Sequence, residues 1–184
     1  NSKGNVFCEQ NRYEEALAAY EQAIALDPEY ANPWNGKGNV LDDLKRYEEA
    51  IQVCDRALAI DQNKGAPLNT KGSARRSLKR YADAIQAYDR ALTIDQNDVI
   101  AWTNKGNALY DLKHCEEAIQ AFDRALAIDQ NYAVAWFMKG YVLGDLKRYE
   151  EAIQAYDRAI AINQNYTVAR TNCVFRTIVT AVSV

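Results

Sequence analysis

The sequence predicts an all-α solenoid built from helix-turn-helix units, and three observations carry that prediction. Trp34, Trp102 and Trp136 are separated by multiples of 34 residues. Whole columns of other residues return at the same step. Within each unit, apolar residues recur every three or four positions, the spacing of one helical face, and no strand-like alternation is seen between residues 1 and 170.

The columns define the units. Lys3-Gly4, Lys37-Gly38, Lys71-Gly72, Lys105-Gly106 and Lys139-Gly140 form one, and Ala16, Ala50, Ala84, Ala118 and Ala152 another. Ala23, Ala57, Ala91, Ala125 and Ala159 form a third; Tyr13, Tyr47, Tyr81 and Tyr149 a fourth, with Cys115 in the remaining slot. Residues 1–30 are a unit lacking its first four positions. Four full units follow at 31–64, 65–98, 99–132 and 133–166, and 167–184 begin a sixth or form a capping helix. The whole of 1–184 is one array on this reading, expected to be a piece of a longer one.

Each unit reads as two helices. In the second, Trp34, Gly38, Leu41 and Leu44 mark the first helix, and Pro33 sits near its start, where a missing N–H costs nothing. After Lys45-Arg46, the face Tyr47, Ala50, Ile51, Cys54, Ala57, Leu58 marks the second helix. Glu48 and Glu49 fall in its first turn, where carboxylates suit the helix dipole. The run Asp61-Gln62-Asn63-Lys64 breaks the pattern and is expected to cap the next helix with its side chains. Columns of alanine and glycine allow close helix approach.

A 34-residue helical hairpin with these columns closely resembles the tetratricopeptide repeat. In the fourth unit the family pattern is carried by Trp102, Gly106, Ala118, Phe122 and Ala125. Two columns depart from it: the lysine at Lys105 stands where leucine is usual, and Gln130 where proline is usual, which only Pro28 keeps. The lysines are expected to bury their stems and send the ammonium to a nearby carboxylate. The resemblance covers residues 1–170; residues 171–184 depart from it. It implies a right-handed α-α superhelix whose first helices line a concave groove, and the Lys-Gly-Asn and Glu-Glu-Ala-Ile runs are similar to bacterial, especially cyanobacterial, members.

Composition narrows the function. The 184 residues are 48% hydrophobic and 26% charged with a net charge of -3, and the mean hydropathy is -0.44. No apolar run approaches the roughly 20 residues of a spanning helix, so no membrane role is expected. Basic residues alternate with acidic ones instead of forming the basic face that nucleic acid requires. Residues 1–12 have no signal-peptide pattern, and Cys8, Cys54, Cys115 and Cys173 have no metal or disulfide spacing. Free thiols and a cytoplasmic location are expected, with Cys54 and Cys115 buried in place of aromatic residues.

Nothing in the chain reads as catalytic, and neither a cofactor nor a metal is expected. His114 is the single histidine and takes the turn column of Arg12, Arg46, Arg80 and Arg148. The Glu-Glu pairs are repeated helix starts, and no glycine-rich phosphate loop is present.

Binding residues should vary where packing residues hold steady. On the first helices, opposite the Trp34–Gly38–Leu41 stripe, one varying column reads Asn1, Asn35, Asn69, Thr103, Phe137, Thr171. The next reads Asn5, Asn39, Ser73, Asn107, Tyr141, Phe175, and a third reads Cys8, Asp42, Arg76, Tyr110, Gly144, Ile178. Toward the N-terminus the groove is a row of amides and hydroxyls, with Asn104 beside it. An amide offers both a donor and an acceptor, which suits an extended peptide backbone. The resemblance suggests that use for the row. From Phe137, Met138 and Tyr141 onward the groove turns apolar, the usual character of a partner anchor. The family's two-carboxylate clamp is absent, since its lysine slots hold Asn1, Asn35 or Asn69. Arg75, Arg76, Lys79 and Arg80 form a local basic cluster, read as a solvated turn.

The sequence thus predicts a protein-interaction module binding a peptide or partner segment. The alternatives are a recruiting arm of a larger enzyme and a structural assembly scaffold. At the C-terminal end, Phe175, Ile178 and Val179 leave apolar surface with no capping repeat to cover it, which predicts self-association into a homodimer.

Overall fold

The computed structural model describes residues 2–166. They form ten α-helices: α1 (Ser2–Glu9), α2 (Tyr13–Leu26), α3 (Ala31–Asp43), α4 (Tyr47–Ile60), α5 (Gly65–Ser77), α6 (Tyr81–Ile94), α7 (Val99–Asp111), α8 (Cys115–Ile128), α9 (Ala133–Asp145) and α10 (Tyr149–Ile162). A 3-10 turn, Gln164–Tyr166, follows. No strand occurs among the described residues. The chain divides into two compact units, Asn1–Gln96 and Asn97–Val184. In the first, α1 packs on α2, α3 on α4 and α5 on α6, while α2 also packs on α3 and α4 on α5. The second unit repeats this with α7 on α8, α8 on α9 and α9 on α10. The all-α helical-hairpin architecture expected from the sequence is the one observed.

Each hairpin turns on a residue in the left-handed region. Asn11, Lys45, Lys79, Lys113 and Lys147 have φ between 56° and 68°. After α3, Arg46 N–H donates to Leu41 O at 2.8 Å and Lys45 N–H to Asp42 O at 2.9 Å. These two bonds close the helix end in a Schellman motif. Glycine is the usual occupant of that position, and four of the five here are lysines.

Packing between paired helices depends on the glycine column. A Cβ on Gly72 would come 2.4 Å from the Tyr88 ring, and one on Gly106 would come 2.6 Å from the Phe122 ring. Tyr88 and Phe122 are fully buried. Cys54 stands in the same column, and Thr70 is buried nearby, its methyl carbon 3.8 Å from a Cβ built on Gly38. A small thiol and an inward threonine together occupy space that a ring fills elsewhere.

Three sequence expectations meet particular structures. Three lysines of the column have half-buried or buried stems with paired ends: Lys37 Nζ donates to Glu21 at 2.8 Å, Lys139 to Asp123 at 2.6 Å, and Lys71 to Asp55. Lys3, by contrast, is exposed with its ammonium over the Phe7 ring. The unusual Gln130 column has a simple reason. Trp34 Nε1 donates to Pro28 O at 3.0 Å and Trp136 Nε1 to Gln130 O at 2.9 Å, so this turn position contributes a carbonyl that any residue possesses. The capping role of Asp61 is not observed. Its carboxylate accepts from Asn63 N–H within its own turn, and α5 has no side-chain cap, whereas Asp98 does cap α7 through Ala101 N–H at 2.9 Å.

Candidate functional site

In the first unit, α1, α3 and α5 lie side by side. Between α1 and α3 is a cleft of about 520 Å³, lined by Asn5, Cys8, Glu9, Tyr20, Asn32, Asn35, Gly36, Asn39, Val40 and Asp43. Helix phase puts the α1 and α3 residues on one side of each helix, because they follow at three or four positions. Tyr20 reaches the cleft from α2. Its ring sits between Gly4 and Gly36, and a Cβ on either glycine would fall within 2.6 Å of it. The Tyr20 hydroxyl then donates to Asn5 Oδ1 at 2.7 Å and lies 3.5 Å from Cys8 Sγ. Burial raises the phenol pKa well above its ordinary value, and the contact with Cys8 adds to this. The phenol is a fixed neutral donor.

The amides of this face are partly committed. Thr70 Oγ1 donates to Asn39 Oδ1 and also approaches Ala66 O, while Ser73 Oγ donates to Asp42 Oδ2 at 2.7 Å, so α5 is stitched to α3. Asn5 and Asn39 therefore use their oxygens internally and keep their Nδ2 donors without a partner among the described residues. Asn32 spends both ends, donating to Tyr30 Oη at 2.9 Å and accepting from Lys64 Nζ at 2.7 Å. Asn35 Oδ1 and Asp42 Oδ1 are buried and meet no donor. Burial, then the charge of neighbouring Asp43, pushes the Asp42 carboxyl above its ordinary value against the opposing Ser73 hydrogen bond. Burial alone pushes Asp43 the same way.

The structure places the remaining sequence-predicted residues as follows. Asn69, Ser73 and Arg76 are half-buried on α5. In the second unit Asn104, Asn107, Phe137 and Met138 are half-buried, and Asn107 Oδ1 meets no donor. Thr103 leaves the row. It is only 2% exposed, because its hydroxyl turns inward to donate to Val99 O at 2.8 Å, one helical turn back. Tyr110 donates to Asp145 Oδ2 and packs edge-on against Tyr141 with ring centroids 5.6 Å apart. Burial, then the Asp145 hydrogen bond, keeps the Tyr110 phenol protonated. Phe137 packs on Tyr156 at 5.8 Å, whereas Tyr141 is 45% exposed. The aromatic character expected of this end is therefore presented mainly by Tyr141.

Glu9, Asn32, Gly36 and Asp43 were missed by sequence reasoning, although a signal existed. Gly36 stands where Thr70, Asn104 and Met138 occupy later units, and the column of Glu9 and Asp43 continues as Ser77, Asp111 and Asp145.

Other candidate chemistry disperses. His114 is exposed at the start of α8 with Nδ1 2.9 Å from Glu117 Oε1. Cys54 is fully buried, and burial foremost, with the charges of Asp55 and Asp42, pushes its thiol up to about 12. Cys115, expected to be buried, is half-buried because it opens α8. Arg75 and Arg76 are half-buried in the last turn of α5, not in a solvated turn as expected, with Arg75 donating to Asp83 O at 3.1 Å; Lys79 and Arg80 are exposed, and Arg80 lies 3.8 Å from Glu48. Among the described residues no group of three or more His, Cys, Asp or Glu could hold a metal ion, and no helix is long and apolar enough to cross a membrane. Phe175, Ile178 and Val179 lie outside the described residues.

Comparison with known proteins bears on the family and the fold. A family model described as "Tetratricopeptide repeat" matches residues 1–67 and 103–167, and one described as "TPR repeat" matches 72–113. Among solved structures, YrrB, described as a TPR protein with an unusual peptide-binding site, is 27% identical with a TM-score of 0.67, over 90% of this chain and 86% of that one. TTC0263, a thermophilic TPR protein of Thermus thermophilus, is 15% identical with a TM-score of 0.83, over 94% and 95%. PilF of Pseudomonas aeruginosa is 22% identical with a TM-score of 0.81, over 98% and 84%. No curated protein matches the chain in sequence.

Proposed function

The chain belongs to the tetratricopeptide-repeat family, and we propose that it is a protein-interaction module whose first-helix face receives an extended segment of a partner protein. The observation that carries this reading is the state of the amides along the α1–α3 cleft. Asn5 and Asn39 are held by their oxygens, which fixes the side chains and leaves N–H donors for the carbonyls of a ligand backbone. Pre-set donors spare the ligand complex part of the ordering cost of binding. In the second unit, Tyr141, braced by Tyr110, supplies an exposed aromatic anchor. The peptide-binding site named for YrrB supports the same use of a related chain.

On this reading the module performs no reaction of its own. Its cleft holds amides, carboxylates, a phenol kept protonated and the Cys8 thiol, whose polar contact is that phenol. The test is selection of binders from a displayed random-peptide library, followed by titration of the best peptide into protein labelled at side-chain amides. The Nδ2 resonances of Asn5, Asn35 and Asn39 should shift on binding. Replacing Asn35, Asn39 and Asn69 by Ala together should weaken affinity at least tenfold while the protein stays folded. Selected peptides that bind the triple variant as well as wild type would overturn the reading.

A further inference from the structure

Several carboxylates on the second helices are neutralised from within: Glu15 by Arg12 at 2.6 Å, Glu21 by Lys37 at 2.8 Å, Glu49 by Arg46 at 2.7 Å, Asp123 by Lys139 at 2.6 Å and Glu151 by Arg148 at 2.6 Å. In the α1–α3 cleft the situation differs. Glu9 and Asp43 line it, and no described cationic side chain pairs with either of them or with Asp42 beside them. Three basic side chains on or beside these helices are engaged elsewhere. Lys64 reaches Asn32 at 2.7 Å, Arg12 is forked onto Glu15, and Lys3 lies over the Phe7 ring.

Glu9 and Asp43 are exposed, and both stand where a helix disfavours an anion. Glu9 is the last residue of α1 and Asp43 the last of α3. That is the carbonyl end of each helix, where the macrodipole repels an anion. Partial burial raises the Asp43 carboxyl above its ordinary value, although the residue as a whole is exposed. Asn35 Oδ1, on the same wall, is a third acceptor left without a donor. Gly36 leaves the floor without a side chain and gives it to the Tyr20 hydroxyl. The cleft is therefore a concavity rimmed by two exposed carboxylates that no described cation neutralises.

We propose that this cleft takes a lysine or arginine side chain of the bound segment, with Asp43 and Glu9 as its counter-charges. This rests on the interaction reading above and adds its specificity. A basic side chain brings two or more N–H donors and a positive charge to the two helix C-termini, where both are favoured. The Nδ2 donors of Asn5 and Asn39 remain for the backbone carbonyls on either side of it. An acidic segment would meet like charge on both walls.

The test is the same displayed library, read out by sequencing the selected peptides. Wild type should enrich Lys or Arg at one fixed position of the binders. The isosteric variant Glu9→Gln with Asp43→Asn should lose that enrichment, and its affinity for the best wild-type peptide should fall about tenfold. Replacing the peptide's basic residue by Gln should cost wild type the same factor and cost the variant almost nothing. Glu14→Gln with Glu29→Gln makes the same change in net charge outside the cleft and should keep the enrichment. Thermal melting confirms that each variant is folded. Binders that show no basic preference, or a preference equally lost in the Glu14 and Glu29 variant, would overturn the proposal while the interaction reading stands. Binders unaffected by the Asn35, Asn39 and Asn69 substitutions would overturn the interaction reading itself.

Discussion

A methyl group on Gly36 would lie 2.6 Å from two ring carbons of Tyr20, so the ring of one helical hairpin rests directly on the backbone of the next. This contact holds the phenol where it can donate to Asn5.

Gly36→Ala should therefore destabilise the protein by about 1–2 kcal/mol. Displacing a buried ring costs roughly 1–3 kcal/mol, and the better helix propensity of Ala returns up to about 1 kcal/mol. Urea unfolding of Gly36→Ala measures the loss. Tyr20→Phe should lose only about 1 kcal/mol, the net value of one hydrogen bond. A variant at Gly36 more stable than wild type would show that the ring moves freely.

Lys79→Gly should stabilise the protein by about 0.5–1 kcal/mol. Lys79 has φ 61°, a conformation that costs a side-chain-bearing residue roughly 1–2 kcal/mol, of which glycine's greater freedom in the unfolded chain takes back part. Its side chain is exposed and its N–H still closes the α5 end onto Arg76 O at 2.9 Å. Equilibrium denaturation of the single variant checks this, and Lys45→Gly offers an independent site. A loss of stability at both would mean that the lysines make contacts worth more than the strain.

The pH dependence of Asp42→Asn follows from burial. A carboxyl whose folded pKa is raised binds its proton more tightly in the native state, so its effect on stability becomes less favourable as pH rises through that raised pKa. Asn keeps an acceptor for Ser73 and carries no charge. The variant should be more stable than wild type at pH 7, and the advantage should shrink as pH falls toward the ordinary carboxylate value near 3.8. Melting temperatures of both proteins across that range decide it. An advantage that grows on acidification would reverse the assignment.

The fold was legible because helix phase and repeat length are properties of spacing alone. Once the lysine-glycine and alanine columns are aligned, every helix of the described residues has its place. What spacing does not contain is the choice a polar side chain makes between two neighbours. Asp61 could cap α5 or close its own turn, and both lie within reach in sequence; the Asx turn is the one formed. Thr103 shares a column with Asn35 and Asn69, yet its hydroxyl can satisfy itself on Val99 O, which an asparagine does less readily, and so it turns inward. The cleft was only half legible for the same reason. Asn35 and Asn39 were visible as members of two varying columns, whereas the commitment of Asn39 to Thr70 joins residues 31 positions apart in different hairpins. Gly36 and Asp43 were visible as letters. Their meaning depended on the Tyr20 ring arriving from α2.

The lysine pairs carry a consequence for how such a chain can grow or shrink. Lys37 to Glu21, Lys71 to Asp55 and Lys139 to Asp123 each join a first helix to the second helix before it, at a separation of 16 residues. Every hairpin so joined offers an acid forward and a base backward, like one tongue-and-groove profile cut on successive boards. Excision of residues 31–64 would bring Glu21 opposite Lys71, and the seam would close with the same chemistry it had before. A gene encoding such hairpins can gain or lose a unit by unequal recombination without inventing a new joint, and what then distinguishes one length from another is the row of side chains carried on the first helices.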